Sequence, residues 1–391
     1  MCSGSKISDY CLFLVWLLHS SIILLLAYVN PNHYTTIDSH YYLESADNLL
    51  SGNGYYIFEN NFYNWNSTFP PGYSLAISIT SLLTTANDLI ASKLVNIAAS
   101  GVWLIYLNRW LGKEKAIILS CILFLGSFLK LWAHTWSEPL FLIVLFCWTY
   151  QFFKLNNDLQ ISRKTFSYLF LLGLLLMLIR YAGIFIIPLA LACCLYHIRK
   201  KNNKKAKAYA WLLTGWATLF IFYLSINKYQ SGEIFGGKRF YGNISISENL
   251  TAFSKGILNE LLIRDVNFEL FNISSMIGTG IQTVVMLLLF IQNNQRINKP
   301  SSLTIHFFVV AIGYNIFLFS VRIFSPFDEP GYRLLAPFSF LALCGFCLAL
   351  DLKQFSTQLK CALLTLILFS WLDLIPRYVF GIKLLKVLTT L

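Results

Sequence analysis

Long apolar runs separated by short polar segments are the main pattern of this chain. A helix needs about 20 apolar residues to cross a bilayer, and about eleven runs come close to that length. We therefore predict an all-α fold, a polytopic membrane helix bundle that forms a single membrane domain over residues 1–391. The predicted transmembrane helices are 10–29, 88–108, 116–133, 138–154, 165–180, 181–198, 208–226, 276–292, 303–322, 332–350 and 359–374.

The apolar segment 72–86 is short for a span and follows Pro70, Pro71 and Gly72. If it crosses the membrane, the basic connections between the other runs fall on both sides. If it is a re-entrant or surface helix, all of them fall on the cytoplasmic side, as the positive-inside rule expects. We adopt the second arrangement, with a cytoplasmic N-terminus and the first run as a retained signal anchor. The basic connections are 109–115, 154–164, 199–207, 296–299 and 353–360.

Two long segments then lie on the outer side, 30–87 and 227–275. The first has apolar residues on one helical face between positions 42 and 50, followed by Gly52 and Gly54, which predicts an interfacial helix. The second carries mixed charges and suits either a substrate-gating loop or an inert loop. Residues 376–391 read as an amphipathic interfacial segment.

Composition supports a membrane protein. Hydrophobic residues make up 57% of the chain and charged residues only 12%, about half the usual share for soluble domains. The net charge of +12 falls mostly between apolar runs, so it indicates membrane orientation and not a nucleic-acid partner. Most of the nine cysteines lie inside apolar runs, as buried unreactive thiols do. We predict a multi-pass protein of the bacterial inner (plasma) membrane.

The polar residues with chemical potential collect on the predicted outer side. Asp38 begins the interfacial helix and is either an N-cap or a general base for an acceptor hydroxyl. Glu138 follows His134 in a short connection, and is either a first-turn acid or functional. Arg180 and Arg333 fit a lipid-phosphate clamp, with an ion pair or snorkelling at the interface as the alternative. Divalent-metal binding stays open, but the outer loops offer no suitable ligand cluster, so no cofactor is predicted.

Several short motifs occur in the order found in one enzyme class. Asp38 precedes a "YY…A..L..G.GY" pattern, and "PPGY" at 70–73 opens the next helix. Three further motifs follow: "SEPLF" at 137–141, "RYAG" at 180–183 and "GYRLLAP" at 331–337. With these, the chain resembles the polytopic GT-C glycosyltransferases, in the branch of dolichyl-phosphate-mannose protein mannosyltransferases and bacterial aminoarabinose transferases. The resemblance runs over about residues 35–350.

The resemblance implies transfer of a hexose or pentose, with inversion, from a polyprenyl- or dolichyl-phosphate sugar on the outer face. The acceptor hydroxyl would belong to a glycan, a lipid or a protein. Asp38 takes the catalytic position. In the family a second acid often follows the first, but Ser39 stands there, so Glu138 is the candidate for the second carboxylate. The substrate-binding candidates are Tyr42, His134, Glu138, Arg180, Tyr181 and Arg333.

A transporter or flippase for a lipid-linked or small polar substrate is the main alternative function. Transporters of this kind predict inverted repeats and broken helices that meet at mid-bilayer. The candidate polar residues instead lie at the outer rim, which favours the transferase.

Overall fold

The computed structural model describes residues 6–59, 61–236, 244–260, 273–294, 301–351 and 355–374. Almost all of its regular structure is helical, with a single short hairpin among these residues. The segment 376–391 and three charged or aromatic residues of the second outer loop, Lys238, Arg239 and Tyr241, lie outside the described residues.

The first third of the chain builds one long helix and a compact outer-loop unit. Helix α1 (Lys6–Val29) is followed by α2 (Ile37–Leu50), the hairpin strands β1 (Tyr56–Glu59) and β2 (Phe62–Trp65), and α3 (Gly72–Thr84). Helix α2 packs on both β1 and α3. Tyr42 and Ala46 of α2 meet Tyr73 and Ile77 of α3 in a small buried cluster.

The helices α4 (Asp88–Leu111), α5 (Lys113–Ser120), α6 (Gly126–Ala133) and α7 (Glu138–Asn157) follow. Residues Cys121–Phe124 form a 3-10 turn that joins α5 to α6, and the pair bends by 74° there. Gly126 sits at this bend, where its backbone N–H donates to Ser370 Oγ at 2.8 Å. The predicted span 116–133 is therefore a broken helix.

The remaining helices complete the bundle. They are α8 (Arg163–Ile179), α9 (Ile186–Arg199), α10 (Asn203–Ser231), α11 (Ile246–Asn259), α12 (Ile273–Asn294), α13 (Ser302–Phe324), α14 (Tyr332–Ala349) and α15 (Thr357–Ser370). Helices α7 and α8, α9 and α10, and α13 and α14 pack as sequential neighbours. A single large core of aromatic and aliphatic side chains lies between them, with Trp103, Trp132, Trp148 and Trp216 fully buried.

The prediction of a polytopic helical membrane bundle is confirmed. Among the described residues seven helices are long and apolar enough to cross a bilayer, or eight if the bent pair α5–α6 counts as one span. Each of the eleven predicted spans contains a helix, but α8 and α15, with 17 and 14 residues, are too short for that test. Helix α3 has 13 residues, fewer than the roughly 20 that a span requires.

The interfacial helix begins earlier than its apolar pattern indicates. Thr36 is its N-cap, and the Thr36 backbone N–H donates to Ser39 Oγ at 3.0 Å. Asp38 therefore sits inside the first helical turn, and the alternative that it acts as the N-cap is wrong. Its carboxylate is left to interact with other parts of the chain.

Candidate active site

Two carboxylates and two arginines from four separate elements meet at one end of the bundle. Asp38 lies in the first turn of α2, Glu138 in the first turn of α7, and Arg333 in the first turn of α14. Arg180 directly follows the last residue of α8. The first and last turns of a helix have backbone N–H and C=O groups without partners in the helix. Four helix ends that meet here can therefore build a polar site.

Arg333 joins the two carboxylates. Its Nε donates to Glu138 Oε1 and its Nη1 donates to Asp38 Oδ2. The guanidinium also lies over the Trp136 ring, with 4.4 Å from its central carbon to the ring centroid. A planar guanidinium suits this combination, because it forks towards two acceptors while its face stacks on an aromatic ring.

Arg180 completes the network from the other side of Glu138. Its Nη1 pairs with Glu138 Oε1 and donates to Ser137 Oγ at 3.2 Å. Ser137 Oγ also lies 2.9 Å from the Tyr42 hydroxyl, which brings α2 into the same network. The four charges cancel formally, as a desolvated cluster requires. Burial raises the pKa of Tyr42 to about 12, so its phenol stays protonated beside these charges.

Exposure differs within the network. The Glu138 side chain is 0% exposed, whereas Asp38 and Arg333 are 27% and 23% exposed. Glu138 Oε2 is buried and has no hydrogen-bond partner among the described residues. The network therefore has a closed side at Glu138 and an open side at Asp38.

The connection between α6 and α7 carries the aromatic support of the site. His134 stacks on Trp136 with ring centroids 3.7 Å apart, and Tyr34 meets His134 edge-on at 4.7 Å. Burial lowers the pKa of His134 to about 3, so the imidazole is neutral. Its Nδ1 donates to the Lys130 carbonyl at 2.7 Å. His134 thus positions Trp136, on which Arg333 rests.

Polar residues of α4 hold this connection in place. Lys93 Nζ donates to the Ala133 carbonyl at 2.7 Å and to Thr135 Oγ1 at 2.8 Å. Asn96 Nδ2 donates to the carbonyls of Trp132 and His134, both at 2.9 Å. These bonds satisfy backbone oxygens that have no helical partner.

Sequence reasoning missed Lys93, Asn96 and Trp136. A signal existed for Lys93, since a lysine within a predicted span is costly and is usually retained for a purpose. The signal for Asn96 was weaker, and nothing in the local sequence distinguished Trp136 from other interfacial aromatic residues.

Tyr181 lies outside the ion network although it follows Arg180. Its hydroxyl donates to the Ser67 carbonyl at 2.7 Å and receives a hydrogen bond from Asn227 Nδ2 at 3.0 Å. Trp65 Nε1 donates to Asn227 Oδ1 at 2.9 Å. Tyr181 therefore ties the outer-loop unit to α10.

The described residues contain no group of three or more His, Cys, Asp or Glu that could hold a metal ion.

Comparison with known proteins identifies the fold. No protein-family model matches this sequence, and no curated protein is similar to it in sequence. Two solved structures do match: ArnT from Cupriavidus metallidurans in the apo state, at TM-score 0.54 and 14% identity, and the same protein bound to undecaprenyl phosphate, at TM-score 0.55 and 13% identity. Each match covers 88% of this chain and 61% of the ArnT chain, so this chain spans about three fifths of that protein's length. The implied GT-C-like fold is confirmed by this likeness to ArnT.

Proposed function

We propose that this protein is a glycosyltransferase that moves one sugar, with inversion, from a polyprenyl- or dolichyl-phosphate donor to an acceptor hydroxyl on the outer face of the membrane. The observation that carries the proposal is the network in which Arg333 joins Asp38 to Glu138 while Arg180 holds Glu138. The undecaprenyl phosphate bound to ArnT supports the choice of lipid carrier.

The proposed step is a single displacement. The acceptor oxygen attacks the anomeric carbon, its proton passes to the Asp38 carboxylate, and the bond between that carbon and the phosphate oxygen breaks. The electron pair of that bond goes to the lipid phosphate, which leaves with one more negative charge. Asp38 suits the proton-accepting role because it lies on the open side of the network.

The two arginines would stabilise the leaving phosphate. A guanidinium has five N–H donors, and Arg333 uses Nε and Nη1 for the two carboxylates. Further donors remain for phosphate oxygens, which arginine binds in a forked geometry. Positive charge fixed in place before the reaction stabilises charge that develops during it.

Glu138 would act as the fixed anion that holds both arginines in position. It is fully buried between them, so it is shielded from the acceptor and serves as a poor base. Its second oxygen, Oε2, is also buried and lacks a hydrogen-bond partner among the described residues.

The test measures sugar release and transfer by the purified protein in lipid nanodiscs, with a panel of radiolabelled undecaprenyl-phosphate sugars and a mixed extract of membrane acceptors. We expect Asp38→Asn to lower turnover by roughly 10²-fold or more, the scale of general-base catalysis. Asp47→Asn is the matched control, because Asp47 is exposed on the same helix and lies outside the network. It should keep wild-type turnover.

Folding is checked separately by size-exclusion profile and thermal midpoint. Asp47→Asn should share both with wild type, whereas Asp38→Asn should keep the profile with a lower midpoint, because it removes one charge of the network. Full activity in a folded Asp38→Asn variant would exclude Asp38 as the base. If folded wild-type protein releases no sugar from any donor but moves a lipid-linked sugar across the bilayer of a proteoliposome, the transporter or flippase alternative replaces the transferase.

A further inference from the structure

The hairpin of the outer-loop unit has one entirely aromatic face. Strands β1 and β2 pair antiparallel with Tyr56 opposite Trp65 and Phe58 opposite Tyr63. Directly opposed residues share a face of the hairpin, and alternate residues of a strand share it too. These four rings therefore lie side by side on one face. The rings of Tyr56 and Trp65 are 5.6 Å apart, and those of Phe58 and Tyr63 are 5.3 Å apart.

This aromatic face is partly open. Phe58 and Tyr63 are 52% and 63% exposed, while Tyr56 and Trp65 are half-buried. On the opposite face Ile57 is buried. Large aromatic side chains are costly to leave exposed to water. A contiguous patch of them therefore indicates a surface that another molecule covers.

The hairpin lies along α2 and leads towards the candidate base. Asn48 Nδ2 donates to the Tyr56 carbonyl at 2.9 Å, the Phe58 N–H donates to Glu44 Oε1 at 2.5 Å, and the Tyr41 hydroxyl donates to Glu59 Oε1 at 2.7 Å. These contacts move up α2 towards its first turn. Tyr41 lies three residues after Asp38. The two residues are therefore about 4.5 Å apart along the helix axis and are neighbours on the helix surface.

The charge around the hairpin restricts what can bind. Residues 30–92 contain no lysine or arginine, and the contacts of β1 include two acids, Glu44 and Glu59. A segment that has acids and no lysine or arginine of its own repels phosphate groups and anionic lipid headgroups. It accepts neutral or amine-bearing molecules.

We propose that the aromatic face, defined by Tyr56, Phe58, Tyr63 and Trp65, is a saccharide-binding platform that guides a neutral or amine-bearing glycan acceptor to Asp38. The C–H faces of a sugar pack on aromatic rings, and the four rings of this face offer such a surface. The proposal deepens the proposed function, on which it rests for the role of the saccharide as acceptor.

Saturation-transfer NMR and calorimetry on the whole protein in nanodiscs test the platform, without any donor present. The probes are maltotetraose, which is neutral, deacetylated chitotetraose, which carries amines, and tetragalacturonate, which is anionic. Binding of the first two and not of the third is expected. Phe58→Ala and Tyr63→Ala should each weaken binding by roughly 3- to 10-fold, the scale of one aromatic contact.

Phe62→Ala is the matched control. Phe62 is 71% exposed and belongs to the same strand, but it pairs with Glu59 on the opposite face. It should leave saccharide binding unchanged. Fluorescence quenching by brominated lipid measures how far the outer loop inserts into phosphatidylcholine bilayers. If Phe58→Ala, Tyr63→Ala and Phe62→Ala all lower this insertion equally, the hairpin is a membrane anchor and the proposal is overturned. Equal loss of saccharide binding in all three variants would overturn it as well.

The two proposals fail in different experiments. Saccharide binding requires no transfer, so Asp38→Asn should bind the tetrasaccharides as wild type does. Binding with no sugar transfer from any donor would overturn the transferase and leave the platform. Transfer with an unchanged acceptor KM in Phe58→Ala and Tyr63→Ala would overturn the platform and leave the transferase.

Discussion

Arg333 determines the geometry of the candidate site, because one side chain holds Asp38, Glu138 and the Trp136 ring in fixed relation. Lysine could not do this, since a single ammonium lacks both the fork and the flat face. Breaking a buried ion pair by removing one partner leaves an uncompensated charge, so each member of the network also stabilises the fold.

His134 gives a residue-scale prediction about pH. Its pKa is about 3 in the folded protein because of burial, against about 6.5 in an unfolded chain. As the pH falls below 6.5 the unfolded state binds a proton that the folded state does not, so stability is complete above that pH and declines towards pH 3. The slope is about 1.4 kcal/mol per pH unit.

The measurement compares wild type with His134→Gln by unfolding in mixed detergent micelles at pH 7 and pH 5. Over that range wild type should lose about 2 kcal/mol more than the variant. Parallel pH profiles for the two proteins would show that His134 takes up a proton as readily in the folded as in the unfolded state, contrary to its burial.

At the scale of elements, close helix packing depends on small residues. A Cβ on Gly173 of α8 would lie 2.4 Å from the buried Trp216 indole of α10. That indole cannot move freely, because its Nε1 donates to the Phe170 carbonyl at 2.9 Å. In the reverse direction, a Cβ on Gly215 of α10 would lie 2.5 Å from the Phe170 ring of α8. The α8–α10 contact is therefore interlocked.

Gly173→Ala should lower stability by about 1–3 kcal/mol, the cost of overpacking a core. Gly280→Ala is the control, since Gly280 also lies inside a long helix and has open space around its virtual Cβ. It should be neutral or stabilise by about 0.5–1 kcal/mol, because alanine favours helix. Thermal midpoints from detergent size-exclusion assays compare the two, and equal loss in both variants would contradict the α8–α10 packing.

At the scale of the whole molecule, the site and the basic turns lie at opposite ends of the bundle. Helix α7 begins at Glu138 and ends near Lys154, while α9 ends at Arg199 and α10 begins beside Lys204 and Lys205. The positive-inside rule assigns the basic end to the cytoplasm. We therefore predict that the candidate site faces the outside.

Cysteine labelling in intact cells tests this orientation. Asn53→Cys and Asn203→Cys place thiols at exposed positions of the outer-loop unit and of the basic turn. A membrane-impermeant maleimide should label position 53 above the wild-type background, and position 203 only after the membrane is opened. Labelling of position 203 alone in intact cells would reverse the orientation and place the proposed reaction in the cytoplasm.

The sequence by itself determined the helical membrane class and the helix positions. The length of an apolar run is a local property of the sequence, and the bilayer thickness sets the length that a spanning helix needs. It also singled out Asp38, Glu138, Arg180 and Arg333, because ionisable groups next to apolar runs are rare and costly. Their catalytic and binding roles stay predictions.

Only the tertiary structure decided which charges meet. Asp38 and Arg333 are 295 residues apart, and Glu138 and Arg333 are 195 apart. No local pattern encodes such pairings, since they depend on how four helix ends pack. The same reason explains why the sequence places Tyr181 with Arg180 although the Tyr181 hydroxyl bonds elsewhere. A side chain's direction is set by the neighbours that fill the space around it, and those neighbours come from distant parts of the chain.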